Sequence, residues 1–143
     1  MLRPDLLLHP TQKGLYCPPG DFYLDPVRGA VERAVISHGH SDHARGGHGH
    51  VLATPDTLAI MQARYGEACA TRQQSLPFGE TVNINGVTIW FAPAGHILGS
   101  AQIVIEYRGL RMTFPGYYNC PLYPSDAADA LLRVHFMWRS TIS

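Results

Sequence analysis

The sequence lacks the closely spaced cysteine pairs of a disulfide-stapled or cysteine-zinc protein. Its three cysteines, Cys17, Cys69 and Cys120, are odd in number and lie far apart, with no CxxC pair. Disulfide frameworks and structural zinc knuckles both need paired cysteines. We therefore expect neither, and we expect a reducing compartment, the cytoplasm.

Long apolar runs and a surplus of one charge are also missing. No segment approaches the roughly 20 apolar residues of a membrane span, and the N-terminus, with one arginine and a few leucines, is too weak for a secretory signal. Eleven basic residues balance eleven acidic ones, and Lys13 is the only lysine. The sequence predicts no membrane association, and composition alone gives no support for a polynucleotide partner.

What is present describes a globular protein built mostly of short strands. Hydrophobic residues make up 45% of the 143 positions and charged residues 15%, which is typical of one folded domain. Thr54-Pro55-Asp56 predicts the start of a helix that Gly66 ends, and Asn85-Gly86 predicts a hairpin. The predicted strands comprise residues 5–8, 14–17, 22–24, 31–36, 51–53, 81–84, 87–91, 101–107 and 110–114.

Three imidazoles and one carboxylate fall within six residues directly after a predicted buried strand. They are His38, His40, Asp42 and His43. Imidazole and carboxylate are the ligands of open, catalytic zinc sites. On an extended segment His38 and His40 point to the same side, whereas the adjacent Asp42 and His43 point in different directions, which suits a second ion. Gly39 is expected to let the backbone fold tightly between the first two ligands. The segment predicts a two-metal loop.

Two residues from other segments are candidates for the same site. Asp25 follows the strand at 22–24 and is either a hydrogen-bond partner for a ligand histidine or simply the start of a turn before a proline. His96 follows the strand at 87–91 and is flanked by glycines. This is where a third imidazole from a separate loop is expected, and it would join the ion held by His38 and His40.

A less specific interpretation of the histidines stands beside this one. His48 and His50 follow closely, so the segment could be a histidine-rich tract that chelates metal weakly and without defined geometry. Neither of these two residues is given a role, and both are expected to lie in a loop. Four ligand-type side chains in this spacing, directly after a strand, favour the metal loop.

The run from His38 to His43 has the HxHxDH form of the metallo-β-lactamase fold. Three segments, Leu15 to Phe22, Ala34 to His43 and Pro93 to Gln102, resemble the β-CASP nuclease branch of that fold. Within the branch they are most similar to bacterial ligase-associated DNA exonucleases, which are relatives of RNA 3′-end-processing nucleases. The resemblance implies an α/β fold, namely the N-terminal half of an αββα sandwich with short, mostly antiparallel strands and a peripheral helix.

The resemblance also implies roles for the site residues. His38, His40 and His96 would hold one ion, and Asp42 with His43 would hold the second, together with an aspartate that bridges both ions and a later histidine. Asp42 would also orient the attacking water, and Asp25 would act through a ligand histidine. The ions, usually Zn²⁺ with Mn²⁺ as an alternative, activate a hydroxide that attacks a phosphodiester of DNA.

The sequence departs from the family pattern in two ways. The bridging aspartate normally follows a glycine in a Gly-Asp-Tyr run, but the corresponding run here is Gly116-Tyr117-Tyr118. The later histidine and the second half of the sandwich are missing. We therefore expect a partial metallo-β-lactamase domain at 1–116, a divergent tail at 117–143, one retained ion and weak or no nuclease activity. Such a half-sandwich is expected to expose its inner apolar face.

Three functions fit these observations. The first is a metal-dependent phosphodiesterase, a DNA exonuclease whose partners are DNA and, functionally, a DNA ligase. The second uses the same loop to hydrolyse a small-molecule ester, thioester or lactam. The third is a non-catalytic metal-binding remnant, which Tyr117 and the missing half-domain favour.

Overall fold

The computed structural model describes residues 3–95 and 97–115 of the chain. The predictions for His96, for Tyr117 and for the tail at 117–143 lie outside the described residues. The helices of the described part are α1 (Pro4–Leu7), α2 (Pro55–Tyr65) and a 3-10 helix (Gly66–Cys69). The strands are β1 (His9–Thr11), β2 (Gly14–Cys17), β3 (Phe22–Leu24), β4 (Arg33–Val35), β5 (His48–Ala53), β6 (Ala70–Ser75), β7 (Thr81–Ile84), β8 (Val87–Pro93), β9 (Ala101–Tyr107) and β10 (Leu110–Phe114).

Six strands form the first sheet, in the order β1-β2-β3-β4-β5-β6. The strands β1, β2 and β3 are antiparallel neighbours, whereas β3, β4, β5 and β6 run parallel to one another. The carboxyl ends of β3, β4 and β5 therefore meet at one edge of the sheet, the place where α/β proteins bind their ligands. The predicted metal loop follows β4 and lies at this edge.

Four antiparallel strands form the second sheet, in the order β10-β9-β8-β7. Asn85-Gly86 joins β7 to β8, and Arg108-Gly109 joins β9 to β10. All four turn residues have positive φ, at 52° and 90° in the first turn and 49° and 82° in the second. Two consecutive positive φ values define the hairpin turn whose twist matches the flanking strands. The predicted hairpin at Asn85-Gly86 is confirmed, and the predicted strands at 101–107 and 110–114 form a second hairpin.

The two sheets pack face to face around the larger of two hydrophobic cores. The first sheet contributes Leu15, Cys17, Phe22, Leu24, Val35 and Leu52, and the second contributes Val87, Ile89, Phe91, Ile103, Ile105 and Met112. The expectation of an exposed inner apolar face is wrong for the described residues, because each sheet covers the other. The large hydrophobic side chains exposed there, Leu6, Val27, Phe78 and Leu98, come from four separate segments.

Helix α2 covers the opposite face of the first sheet. It begins after Thr54, whose Oγ1 accepts a hydrogen bond from the Thr57 N–H at 3.3 Å, and it ends at Gly66, as predicted. Its side chains Leu58 and Met61 pack with sheet residues in the second, smaller core. The layers are thus helix, sheet and sheet. Five of the eight strand pairings in this part of the chain are antiparallel, so the predicted α/β architecture is confirmed.

Three local predictions are wrong. Residues 5–8 do not form a strand; they belong mostly to α1, and His9–Thr11 pairs with β2 instead. His48 and His50, expected in a loop, lie on β5. Strand β6 was not predicted, because its sequence lacks alternating apolar residues. This absence has a physical reason, since β6 is an edge strand with five of its six side chains exposed.

Candidate metal centre

The site is built where three parallel strands end. Asp25 follows β3 directly, the segment from Ser37 to His43 follows β4, and Thr54 follows β5. Ser37 and His38 are buried, whereas His40 and Asp42 are exposed and His43 is half-buried. The first part of the loop is therefore buried in the protein, and its later part is accessible to a substrate.

Asp25 forms the centre of a buried hydrogen-bond network. Its carboxylate accepts hydrogen bonds from the Ser37 N–H at 2.7 Å, from the Ser37 hydroxyl at 2.5 Å and from His43 Nδ1 at 2.8 Å. Its backbone has φ 44°, a left-handed conformation that aspartate tolerates better than most residues. Its N–H donates to the Val35 carbonyl at 3.0 Å. Of the two interpretations left open for Asp25, the contact with a histidine is the one observed.

The hydrogen bonds determine which nitrogen of each histidine carries the proton. The Ser37 hydroxyl has one proton and donates it to Asp25, so Ser37 Oγ must accept from His38 Nδ1–H, 2.9 Å away. His43 Nδ1–H donates to the Asp25 carboxylate. Both rings are thereby assigned the Nδ1–H tautomer. Coordination would then use Nε2 of each ring, as is usual when the other ring nitrogen is held by a protein group.

Ligand-type atoms of the buried part of the loop lie close together. One ligand atom from each of Asp25, His38 and His43 lies within 4.8 Å of the others. The His38 ring centroid is 4.2 Å from that of His43 and 5.0 Å from that of His40. Carboxylate and neutral imidazole are suitable ligands for Zn²⁺. The donor set of this loop fits such an ion.

The surroundings of His43 change the pKa of its ring. Burial of the ring lowers its pKa, but the hydrogen bond and charge of Asp25, together with the charge of Asp42, outweigh this effect, so the pKa of His43 is raised. Asp42 Oδ2 is 3.7 Å from His43 Nε2. The two carboxylates give the loop a negative potential that attracts a divalent cation.

The structure brings together most of the predicted site residues. Asp25, His38, His40 and His43 share one network of ring and hydrogen-bond contacts, and Asp42 lies beside His43. The assignment of these residues to two ions stays a prediction, and His96 lies outside the described part.

Gly39 has a packing role that the sequence did not reveal. A Cβ atom at this position would lie 2.8 Å from Cγ2 of Ile60, a residue of α2. Real Cβ contacts are never this short, so the glycine allows the metal loop to approach the helix closely. The expected tight backbone fold is not marked by positive φ, because Gly39 is absent from the glycines that have it.

Sequence reasoning missed two groups that hold the site in place. One is Ser37. The only sequence signal for it is a serine placed between a buried strand and the metal-ligand candidate His38. Its carbonyl also accepts from the Ala101 N–H at 2.8 Å. The other group is Thr54 and Thr57, whose hydroxyls both donate to the Gly99 carbonyl, at 2.6 and 3.2 Å. These contacts fasten the loop before β9 to the metal loop and to α2.

Comparison with known proteins supports the family resemblance. No family model matches the sequence. The chain is 41% identical over 117 residues to a protein of Opitutus terrae named as a probable DNA ligase, covering 79% of this chain and 10% of that protein. It is 31% identical over 143 residues to the endoribonuclease ysh-1 of Neurospora crassa, covering 78% of this chain and 17% of that protein. The chain thus spans a small part of these relatives, and the resemblance to β-CASP proteins is confirmed.

A solved structure shows the fold. The chain is similar to a mutant of the HARLDQ-motif metallo-β-lactamase of Cronobacter sakazakii, with a TM-score of 0.51 and 14% sequence identity. The similarity covers 93% of this chain and 74% of that one. The chain therefore has the metallo-β-lactamase fold. Within the residues described, no helix has the length and apolar character needed to cross a bilayer.

Proposed function

From a chain with the metallo-β-lactamase fold and β-CASP homologues, we propose a metal-dependent phosphodiesterase that acts on nucleic acid, with DNA as its substrate. The observation that carries this proposal is the buried network in which Asp25 and Ser37 hold His43 and His38 through Nδ1. Such a network prepares imidazole nitrogens for a cation, and a merely structural histidine cluster does not need it.

A divalent ion at this loop would supply the positive charge that activates water and stabilises the phosphoryl group in the transition state. The protein's own residues prepare the site for it. Asp25 and Ser37 fix the proton of each ring on Nδ1, so His43 and His38 offer Nε2. Asp42 is exposed beside His43. We propose that it binds the second ion and orients the attacking water.

The choice of DNA rests on the relatives. The segment that matches this chain at 41% identity belongs to a protein named as a probable DNA ligase, whereas the ysh-1 endoribonuclease matches at 31%. We therefore propose DNA exonuclease activity and a functional link to a DNA ligase. A cytoplasmic location fits the free, buried thiols of Cys17 and Cys69.

The expected activity of this chain depends on His96 and Tyr117, which both lie outside the described residues. We propose that His38, His40 and His96 retain one ion, most simply Zn²⁺ with Mn²⁺ as an alternative. Tyr117 cannot easily replace a bridging aspartate, because a phenol ionises near pH 10 unless a metal lowers its pKa. A weakly held second ion leaves slow hydrolysis, since two-metal catalysis needs both ions about 4 Å apart.

A substrate panel tests this function. The chain would be loaded with Zn²⁺ or Mn²⁺ and incubated with end-labelled single-stranded DNA, matched RNA and a chromogenic lactam. We expect slow cleavage of DNA that a chelator and His38→Ala both abolish. Lactam hydrolysis without phosphodiester cleavage would instead support the small-molecule hydrolase. Tight metal binding with no hydrolysis of any substrate would support the non-catalytic metal-binding protein.

A further inference from the structure

A cavity lies between the two sheets, beside the whole length of β4. Its volume is about 390 Å³, and its walls come from β4, β5 and β6 on one side and from β7 and the following turn on the other. Arg33, His50 and Gln74 line it together with Asn83 and Asn85. A second cavity of about 320 Å³ shares Arg33 and His50 and adds Arg72. We call these two adjoining cavities together the groove.

The strand register places three nitrogen-rich side chains in one row across this groove. Arg33 on β4 is paired with His50 on β5, and His50 is paired with Arg72 on β6. Residues in register on parallel strands point to the same face of the sheet. Arg33 alternates with Val35, whose side chain belongs to the core between the sheets, so the row faces the second sheet.

The arginines of this row have no carboxylate partner. The salt bridges within residues 3–95 and 97–115 use other side chains, and both Arg33 and Arg72 are exposed. Among the described residues, no carboxylate lines the larger cavity, and Glu32 is the single acidic residue that lines the smaller one. His50 Nε2 lies 3.2 Å from Gln74 Oε1. Besides apolar side chains such as Phe22 and Leu52, the groove contains imidazole and amide groups and two guanidiniums that lack a salt-bridge partner among the described residues. Guanidinium, imidazole and amide donors are the chemistry that recognises phosphate.

We propose that this groove binds the phosphate backbone of the nucleic-acid strand at a point separate from the metal loop. The proposal rests on the proposed function for the identity of the polymer. His38 lies five positions after Arg33, so Arg33 is at most about 16 Å from the first ligand along an extended chain. A strand rising about 3.4 Å per nucleotide covers this distance in roughly five nucleotides. The groove would hold the strand in place while its end lies at the metal loop, and it would bind without reading sequence.

Binding of labelled DNA to the metal-free chain tests the proposal separately from catalysis. Fluorescence anisotropy would follow a 20-nucleotide single strand in the presence of a chelator, for the unaltered chain and for an Arg33→Gln/Arg72→Gln variant. We expect the variant to bind at least fivefold more weakly at low salt, with a salt slope reduced by about 1.4, which is two phosphate contacts on single-stranded nucleic acid. The effect should be the same for different base sequences.

The matched control is Arg64→Gln, which removes an exposed arginine from α2, on the other face of the first sheet. It should leave the affinity and the salt slope unchanged. Equal weakening by both variants, or no weakening by the groove variant, overturns the proposal. Saturation of the groove by inorganic phosphate alone below 1 mM also overturns it, because the ligand would then be a small anion and not a polymer. Groove-dependent DNA binding without any cleavage would refute the proposed function and would still support the proposal that the groove binds DNA.

Discussion

At the scale of single residues, the site depends on groups that do not bind metal themselves. Ser37 uses its N–H, its hydroxyl and its carbonyl at once, to Asp25, His38 and Ala101. Ser37 thus connects two loops and a strand through its hydrogen bonds. Its position could not be ranked above that of Ser41 from the sequence, since both serines stand beside ligand-type residues.

Replacing Ser37 by alanine should weaken metal binding. The change removes the acceptor for His38 Nδ1–H and one donor to Asp25, and loss of such partners typically costs 10–100-fold in metal affinity. Competition with a chromogenic zinc chelator would measure the change. Ser41→Ala alters an exposed serine of the same loop and should bind the ion as the unaltered chain does. Equal affinity in both variants would show that Ser37 does not orient His38.

His48 should make the folded chain sensitive to acid. Its ring is fully buried; Nδ1 accepts from the Val31 N–H at 3.1 Å, and Nε2 has no hydrogen-bond partner within the described residues. Burial lowers the pKa of His48 below its ordinary value near 6.5. As the pH falls below about 6.5, the unfolded chain binds this proton first, so the free energy of unfolding falls by at most about 1.4 kcal/mol per pH unit.

Urea unfolding of the metal-free chain between pH 5 and pH 7.5 would measure this effect. The His48→Gln variant should lose less stability on acidification than the unaltered chain, because it lacks the buried group that must become charged. Comparing the two chains cancels the contributions of other titrating residues. Parallel pH profiles would place the acid sensitivity elsewhere.

At the scale of elements, α2 supports the site as well as the core. Thr54 ends β5, caps the helix and donates to the Gly99 carbonyl. Its role as a cap is readable from the sequence, since threonine followed by proline and an acid is a typical helix start. Its contact with a carbonyl 45 residues away is not readable, because nothing local indicates which loop will lie against the helix.

Thr54→Ala should cost more stability than Thr57→Val. The first change removes the helix cap, worth about 1 kcal/mol, as well as the shorter hydrogen bond to Gly99. The second keeps the side-chain shape and removes the longer hydrogen bond, at a net cost of about 0.5–1.5 kcal/mol. Urea unfolding of the two variants gives the order, and a larger loss for Thr57→Val would contradict it.

Gly86 should be the sensitive residue of the β7–β8 hairpin. With φ 90° it occupies a region that side chains disfavour, so Gly86→Val should destabilise the fold by about 1–2 kcal/mol. Gly86→Asn should cost less, because asparagine tolerates left-handed backbone. Thermal or urea unfolding would measure both, and equal costs would show that the backbone conformation is not the cause.

At the scale of the whole molecule, local sequence patterns predicted the individual elements better than the contacts between distant segments. The two hairpins, α2 and the metal loop follow from turn residues, caps and alternation. Strand β6 could not be predicted because an exposed edge strand needs no apolar alternation. Nor could the burial of the inner face, since the sequence does not show that residues 81–114 return to cover the first sheet. The ligand-type side chains were found, but their hydrogen-bond partners required the fold.

Metal content tests the site as a whole. We expect one tightly held zinc ion for each chain by elemental analysis, and a free energy of unfolding that rises with free zinc, by about 2.7 kcal/mol at 100 times the dissociation constant. His38→Ala should abolish this rise. Two tightly held ions would contradict the prediction and would indicate that Tyr117, or another group, completes a second position.

The hydrogen bonds among Asp25, Ser37, His38 and His43 have a consequence for the order of assembly. All of them are made between protein atoms, and the cores on both sides of the first sheet are made of side chains alone. We therefore expect the chain to fold without a cation, in contrast to a zinc finger, which is unstructured until it binds its metal. Removal of the metal by a chelator should leave a folded apoprotein that binds metal again. In the cell, the metal could then bind at any time after synthesis.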